Sequence, residues 1–312
     1  MKPGVEVLRQ CLRTVPPLHC AHAFSTYALL AAVSDSRNRQ HALMRTITDA
    51  LAAMGGVGST SSLRQAGVSR RSIEAGVQDS SVQRVARGVY ALPDAEPLLV
   101  HAGRHYAVPA CVTAAQAAGL WVVKGPGRPH LAAGHGRPID GCVVHRSNVP
   151  LTHLDIVCQS LRCLPPLEGL TIAESAVKRG LVQLPTLREQ FPAVREKAVL
   201  GLVARIRPQS GSIIETMARY LLEEAGLTVE LQVKIPGVGH LDLLVDGLLG
   251  IETDGYAHHR SRAAYREDRR RWNVTVVRGI PTLRVTFEML LSEPTEFVRM
   301  VHRALATYRS AQ

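Results

Sequence analysis

The chain lacks any C-x-x-C pair, which argues against a zinc ribbon of ordinary spacing. Its 6 cysteines, at positions 11, 20, 111, 142, 158 and 163, are scattered. In a chain of this size that is the pattern of free thiols in a reducing cytoplasm. Aromatic residues are scarce, at 4%, which argues against single-strand capture by base stacking. Long hydrophobic runs are missing. The longest apolar run near the N-terminus, Tyr27 to Val33, is far too short to cross a bilayer. It also comes too late, behind His19 and His22, to read as the core of a signal peptide. A cytoplasmic protein without a membrane partner is therefore expected. Acidic residues are short too: 26 Asp and Glu face 37 Lys and Arg, leaving a formal net charge of +11. That imbalance favours a polyanionic partner, nucleic acid before membrane. A GC-rich genome produces the same enrichment in Ala, Val, Gly and Arg, so charge alone does not decide the partner.

What is present suits two or three domains in 312 residues, with 46% hydrophobic residues to build their cores. Residues 1–43 mix prolines, polar residues and two cysteines without a sustained period, and little fixed structure is expected there. Residues 44–95 are more regular. Ile47, Leu51 and Met54 recur at helical spacing before Gly55-Gly56. Ser59 is placed to cap a second helix that ends at Gly67, and Ser69 a third that carries Arg70, Arg71 and Ile73. Val82–Val85 and Val89–Leu92 flank a turn at 86–88 and read as a hairpin. Three helices and a hairpin in this order predict a winged helix-turn-helix. Its third helix would enter the major groove of double-stranded DNA, with Arg70 and Arg71 near its start and Arg84 and Arg87 on the wing.

Residues 96–208 read as a mixed connecting domain: a helix over 110–120, a Gly/Pro-rich loop over 125–137, a strand over 141–145, a helix over 170–179 and another starting near Pro185. Ala173, Ala176 and Val177 are expected to face inward. The histidines at 101, 105, 130, 135, 145 and 153 show no ligand-pair spacing beside a carboxylate, and no metal site is expected among them.

Residues 209–312 carry the chemistry. Ser212 is placed to cap a helix through Glu224, with Ile214, Met217, Ala218, Leu221 and Ala225 inward and Glu215 at the edge of that face. A strand over 229–235 follows, then two apolar runs around Asp246-Gly247 that predict a β-hairpin. Asp242, Glu252 and Asp254 interrupt those runs. Glu252 and Asp254 are two apart, so they share a strand face, where like charges repel. A cation between them relieves that repulsion. Oxygen ligands suit a hard ion, Mg2+ or Mn2+. A strict two-residue turn would place Asp242 and Glu252 on opposite faces, so a shared site predicts an odd-length loop or a bulge. His258 and His259, a basic helix over 261–272, strands over 274–278 and 283–286 and a helix over 294–308 complete an α/β arrangement around a mixed sheet.

Two stretches resemble known families. The run from Gly55-Gly-Val-Gly to Ile73, with Arg84-Val-Ala-Arg-Gly-Val-Tyr-Ala-Leu-Pro93, resembles the N-terminal domain of AbiEi-type antitoxins of type IV toxin–antitoxin systems. Glu215, Gln232, Asp242, the Glu252-Thr-Asp254-Gly-Tyr-Ala-His-His259 run, Arg266 to Arg271 and Leu283-Arg284 resemble the Vsr-like branch of PD-(D/E)xK endonucleases. The motif lysine of that superfamily is replaced here by Asp254. The resemblance implies a multidomain α/β and α+β protein that ends in a restriction-endonuclease-like domain. It also implies a metal held by Asp242 with Glu252 or Asp254 and the backbone carbonyl between them. His258 or His259 would serve as general base or steady the attacking water, Glu215 would support a second metal or orient a water, and Arg271 and Arg284 would clamp the phosphate. The alternative is a repressor or antitoxin with an inactive nuclease-like fold and a cognate toxin as partner.

Overall fold

The computed structural model describes residues 46–236, 239–254 and 279–310. The expected extension over 1–43, His258, His259, Arg271, the basic helix and the 274–278 strand lie outside the described residues. Helices alternate with three small sheets, a mixed α/β chain. The described part divides into two compact units, up to Leu164 and from Pro165 onward, and the division falls inside the segment read as connecting.

The first unit opens with α1 (Ile47–Ala53), β1 (Val57–Ser59), α2 (Thr60–Gln65), α3 (Arg70–Gln78), β2 (Gln83–Ala86) and β3 (Val89–Ala91). Gly55 and Gly56 follow α1 at φ +80° and +92°, where residues with a Cβ are strained, so the helix stops there. Ser59 caps α2 in a reciprocal box with Ser62, and Ser69 caps α3. Ile47, Leu51, Leu63, Val68, Ile73 and Val82 form one core beneath them. β1 was not expected. It pairs antiparallel with β3, so the hairpin becomes a sheet of order β1-β3-β2, with a register shift between Arg84 and Ala86.

The unit continues with α4 (Pro97–Arg104), β4 (Val108–Pro109), α5 (Cys111–Ala117), β5 (His130–Ala133), β6 (Val143–Arg146) and α6 (His153–Cys163). β5 lies where a Gly/Pro-rich loop was expected. Its four residues are all buried, and it forms the middle of the sheet β4-β5-β6. A fully buried strand has no polar alternation to reveal it. α6 was likewise missed, although Thr152 and Asp155 cap its start reciprocally.

The second unit comprises α7 (Pro166–Lys178), α8 (Leu184–Glu189), α9 (Lys197–Val203), α10 (Ile213–Glu224), β7 (Val229–Ile235), β8 (Gly239–Val245), β9 (Leu249–Asp254), β10 (Thr282–Thr286), α11 (Phe287–Ser292) and α12 (Pro294–Arg309). The sheet order is β10-β9-β8-β7. β7, β8 and β9 form an antiparallel meander, while β10 runs parallel to β9. α10 lies against β7, β8 and β9 and also against α7. Cover on two sides explains why Leu222 rather than Leu221 is buried, and why Thr216 and Arg219 are buried as well. On α7, Ala173 and Ala176 are buried as expected, but Val177 is only half-buried, and the helix starts at Pro166 rather than Leu170.

Candidate functional site

The carboxylate site of the second unit grows from the start of α10. The Ser212 hydroxyl accepts from the Glu215 N–H, which fixes Glu215 in the first turn, where it is buried. Glu215 Oε2 accepts from the Gly211 N–H at 2.7 Å and from the Gln232 side-chain amide at 2.8 Å. Gln232 sits in the middle of β7 at φ +52°, a left-handed conformation rare for residues other than glycine. The pairs on either side of it, Leu231↔Leu243 and Val233↔Leu241, bracket Asp242 on β8. Burial raises the Glu215 pKa above the ordinary carboxylate value. The Asp242 charge raises it further, against the hydrogen bonds from Gly211, Gln232 and Ser212. The strand carboxylate is thus close enough to the helix carboxyl to oppose the ionisation of Glu215.

Asp242 is held in turn by β9. Its Oδ2 accepts from the Thr253 N–H and from the Thr253 hydroxyl, both at 2.8 Å. Thr253 is the residue between Glu252 and Asp254. The β8–β9 ladder pairs Val245↔Leu249, Leu244↔Gly250 and Leu243↔Ile251. Residues 246–248 therefore form a three-residue loop, the odd length that a shared site requires. Asp246 and Gly247 take φ +50° and +68°, and Leu248 N–H donates to the Val245 carbonyl. The regular ladder stops at Leu243, and Asp242 binds Thr253 just beyond it. Glu252 and Asp254 are half-buried. β10 pairs Arg284 with Glu252 and Thr286 with Asp254. Arg284 Nη1 stands 3.8 Å from Asp254 Oδ2. Glu215, Asp242, Glu252, Asp254 and Arg284 therefore gather on α10 and three neighbouring strands.

In the first unit, Arg70 and Arg71 open α3, Arg84 lies on β2 and Arg87 in the turn to β3, and all four are exposed. Arg70 Nε donates to Glu74 Oε1 at 2.8 Å, an exposed i,i+4 pair of small energetic value.

Two groupings were not anticipated from the sequence. The first is a buried ion pair in the second unit. Arg219 Nη2 lies 2.7 Å from Glu174 Oε2, with the two side chains 1% and 0% exposed. Glu174 also accepts from the Arg207 N–H at 2.7 Å and from the Thr216 hydroxyl at 2.5 Å. The second gathers thiols and histidines of the 96–208 segment that show no ligand spacing in the sequence. Cys111, His130, His145 and Cys163 bring their ligand atoms within 4.8 Å of one another. No ligand-pair spacing betrays this group, because each member comes from a different element.

Among the described residues, no helix is long and apolar enough to cross a membrane. Compared with known proteins, the chain matches no family model and no curated sequence.

Proposed function

We propose that this is a DNA-binding protein whose C-terminal part is a metal-dependent endonuclease of the Vsr-like PD-(D/E)xK type, preceded by an AbiEi-like winged helix-turn-helix. The observation that carries the reading is that Asp242, whose charge reaches Glu215, is held by Thr253, the residue between Glu252 and Asp254. The donors are all oxygens, and the Asp242 charge disfavours that of Glu215. That suits a hard divalent cation such as Mg2+ or Mn2+, held by Asp242, by Glu252 or Asp254 and by the Thr253 carbonyl. A bound cation supplies Lewis acidity at the scissile phosphate and lowers the pKa of a water. Glu215, fixed by Gly211 and Gln232, orients water at the edge of the cluster. Arg284, which is exposed beside Asp254, donates to the phosphate. His258 or His259 takes the proton from the attacking water. Arg70, Arg71, Arg84 and Arg87 hold double-stranded DNA through its phosphates and base edges. The protein works in the cytoplasm.

One observation favours a second reading. Asp242 already receives two hydrogen bonds from Thr253, and Asp254 has Arg284 beside it, so these carboxylates are partly satisfied without a cation. On that reading the chain is a repressor or antitoxin with an inactive nuclease-like fold, acting on DNA and a cognate toxin. Incubating the purified protein with supercoiled and nicked DNA, with and without Mg2+ or Mn2+, separates the two. Metal-dependent nicking supports the nuclease. Its absence across both DNA forms and both metals, with tight DNA binding retained, supports the repressor.

A further inference from the structure

We propose that Cys111, His130, His145 and Cys163 of the first unit bind one zinc ion as a closed, four-ligand structural site, separate in residues and in chemistry from the carboxylate site.

Two of the ligand-atom separations match the edges of a tetrahedral zinc site. Zinc bonds of about 2.3 Å to sulfur and about 2.0–2.1 Å to nitrogen give tetrahedral edges of about 3.3 Å between nitrogens and about 3.6 Å between nitrogen and sulfur. His130 Nδ1 lies 3.2 Å from His145 Nε2. Cys163 Sγ lies 3.8 Å from the same His130 Nδ1. Cys111 Sγ completes a set in which every ligand atom is within 4.8 Å of every other. Two thiols and two imidazoles from four separate elements thus bring their ligating atoms into one small volume.

The scaffold holds these atoms in place. Cys111 opens α5 at φ +48°, and its N–H donates to Gln159 Oε1 on α6 at 3.1 Å. His130 opens β5; its N–H donates to Thr113 Oγ1 on α5, and its carbonyl accepts from the Ala110 N–H. The parallel β5–β6 ladder pairs His130 with Val143 and Ala132 with His145, so both histidines project from one face of the small sheet. Cys163 ends α6. An ion here joins α5, β5, β6 and α6, and so ties a subdomain whose strands are only two to four residues long. Sulfur and imidazole ligands select zinc over the hard cations that suit the carboxylate site. Four protein ligands leave no open position, so the site is structural and not catalytic. Cys111 and His130 are buried, whereas Cys163 is exposed, which gives the metal a way in. Binding exchanges each thiol proton for a sulfur–zinc bond and releases that proton to solvent.

The test uses the full chain, purified with its thiols reduced, and reads metal content and cobalt spectra. About one zinc per chain is expected, removable only with a strong chelator. Cobalt(II) in its place is expected to show tetrahedral d–d bands and a thiolate charge-transfer band. Cys163→Ala, at an exposed position, is expected to weaken the charge-transfer band. Cys163→His is expected to restore a tetrahedral spectrum with one thiolate fewer, and Cys142→Ser to change nothing. A protein that carries no zinc and takes up no cobalt overturns the proposal. So does a Cys111–Cys163 disulfide found by peptide mapping in protein whose thiols were blocked on cell lysis. A cobalt spectrum unchanged by Cys163→Ala overturns it as well, because the metal then sits elsewhere. None of these readouts depends on DNA cleavage, so the zinc site and the nuclease reading fail separately.

Discussion

The two side-chain clusters differ in hardness and in how the chain assembles them. The carboxylates of the second unit are oxygen donors, three on half-buried strand positions with an exposed arginine beside Asp254, and Glu215 buried on α10. The cysteines and histidines of the first unit are softer donors at the junction of two helices and two strands. An open, hard site suits substrate and exchangeable metal. A closed, soft site suits a permanent cross-link. Damage to the first is therefore expected to cost activity, and damage to the second to cost folding.

The largest expected effect breaks the open site. Asp242→Asn keeps an oxygen to accept from Thr253 but removes the charge. If cleavage depends on a metal there, its rate is expected to fall about a thousandfold or more, since metal stabilisation of the transition state is worth several kcal/mol. The melting temperature in metal-free buffer is expected to stay level, and DNA affinity to hold or rise. A variant that still nicks DNA at the wild-type rate would remove Asp242 from the site.

Next comes a calibration by a carboxylate whose partners are all protein. Glu174→Ala leaves the Arg219 charge without its buried carboxylate partner at 2.7 Å. Breaking one side of a buried pair costs about 3–5 kcal/mol, readable in denaturant unfolding. Glu215, also buried, has a raised pKa, so its charge is disfavoured in the fold. Glu215→Gln is expected to leave stability level or slightly higher at neutral pH, in contrast to the loss from Glu174→Ala.

The third prediction addresses the soft cluster as metal-free protein. Burial, and then the neighbouring His145, push the His130 pKa down to about 4 from an ordinary 6.5. The folded chain thus favours neutral imidazole. The contribution to stability is fully present above pH about 6.5 and is lost as the pH falls from about 6.5 towards about 4, because the unfolded chain takes up the proton first. The melting temperature of chelator-treated protein is expected to drop across that window, and His130→Gln to flatten the drop.

The smallest effect concerns the exposed arginines. Arg70→Ala and Arg71→Ala are each expected to change the log–log salt slope of DNA binding by about one. An unchanged slope in the double variant would remove α3 as a DNA contact.

Legibility followed chain distance. β7 and the hairpin to β9 could be read, because alternation and turn chemistry act over a few residues. The odd loop was expected only from the shared carboxylate site, since Asp246-Gly247 by itself signals a two-residue turn. So could the caps at Ser59, Ser69 and Ser212, each of which bonds an N–H three residues on. β1 and β5 were hidden, one by its brevity and the other by complete burial without alternation. The soft cluster was hidden because 52 positions separate Cys111 from Cys163 and no local rule links them. The Glu174–Arg219 pair was missed for the same reason: a lone charge on a helix reads as solvated until the helix covering it is known.

The loop at Asp246, Gly247 and Leu248 also sets the kind of genetic change this protein can absorb. A substitution within it leaves the number of loop residues, and with it the strand register, unchanged. Loss of a single codon, such as that for Leu248, makes the loop even. Pairing then slips by one residue, and β9 turns over, sending Leu249 and Ile251 outward and its acids inward. This stretch is expected to tolerate missense changes far better than in-frame deletions or insertions of one residue, and to regain function when two such lesions restore an odd loop.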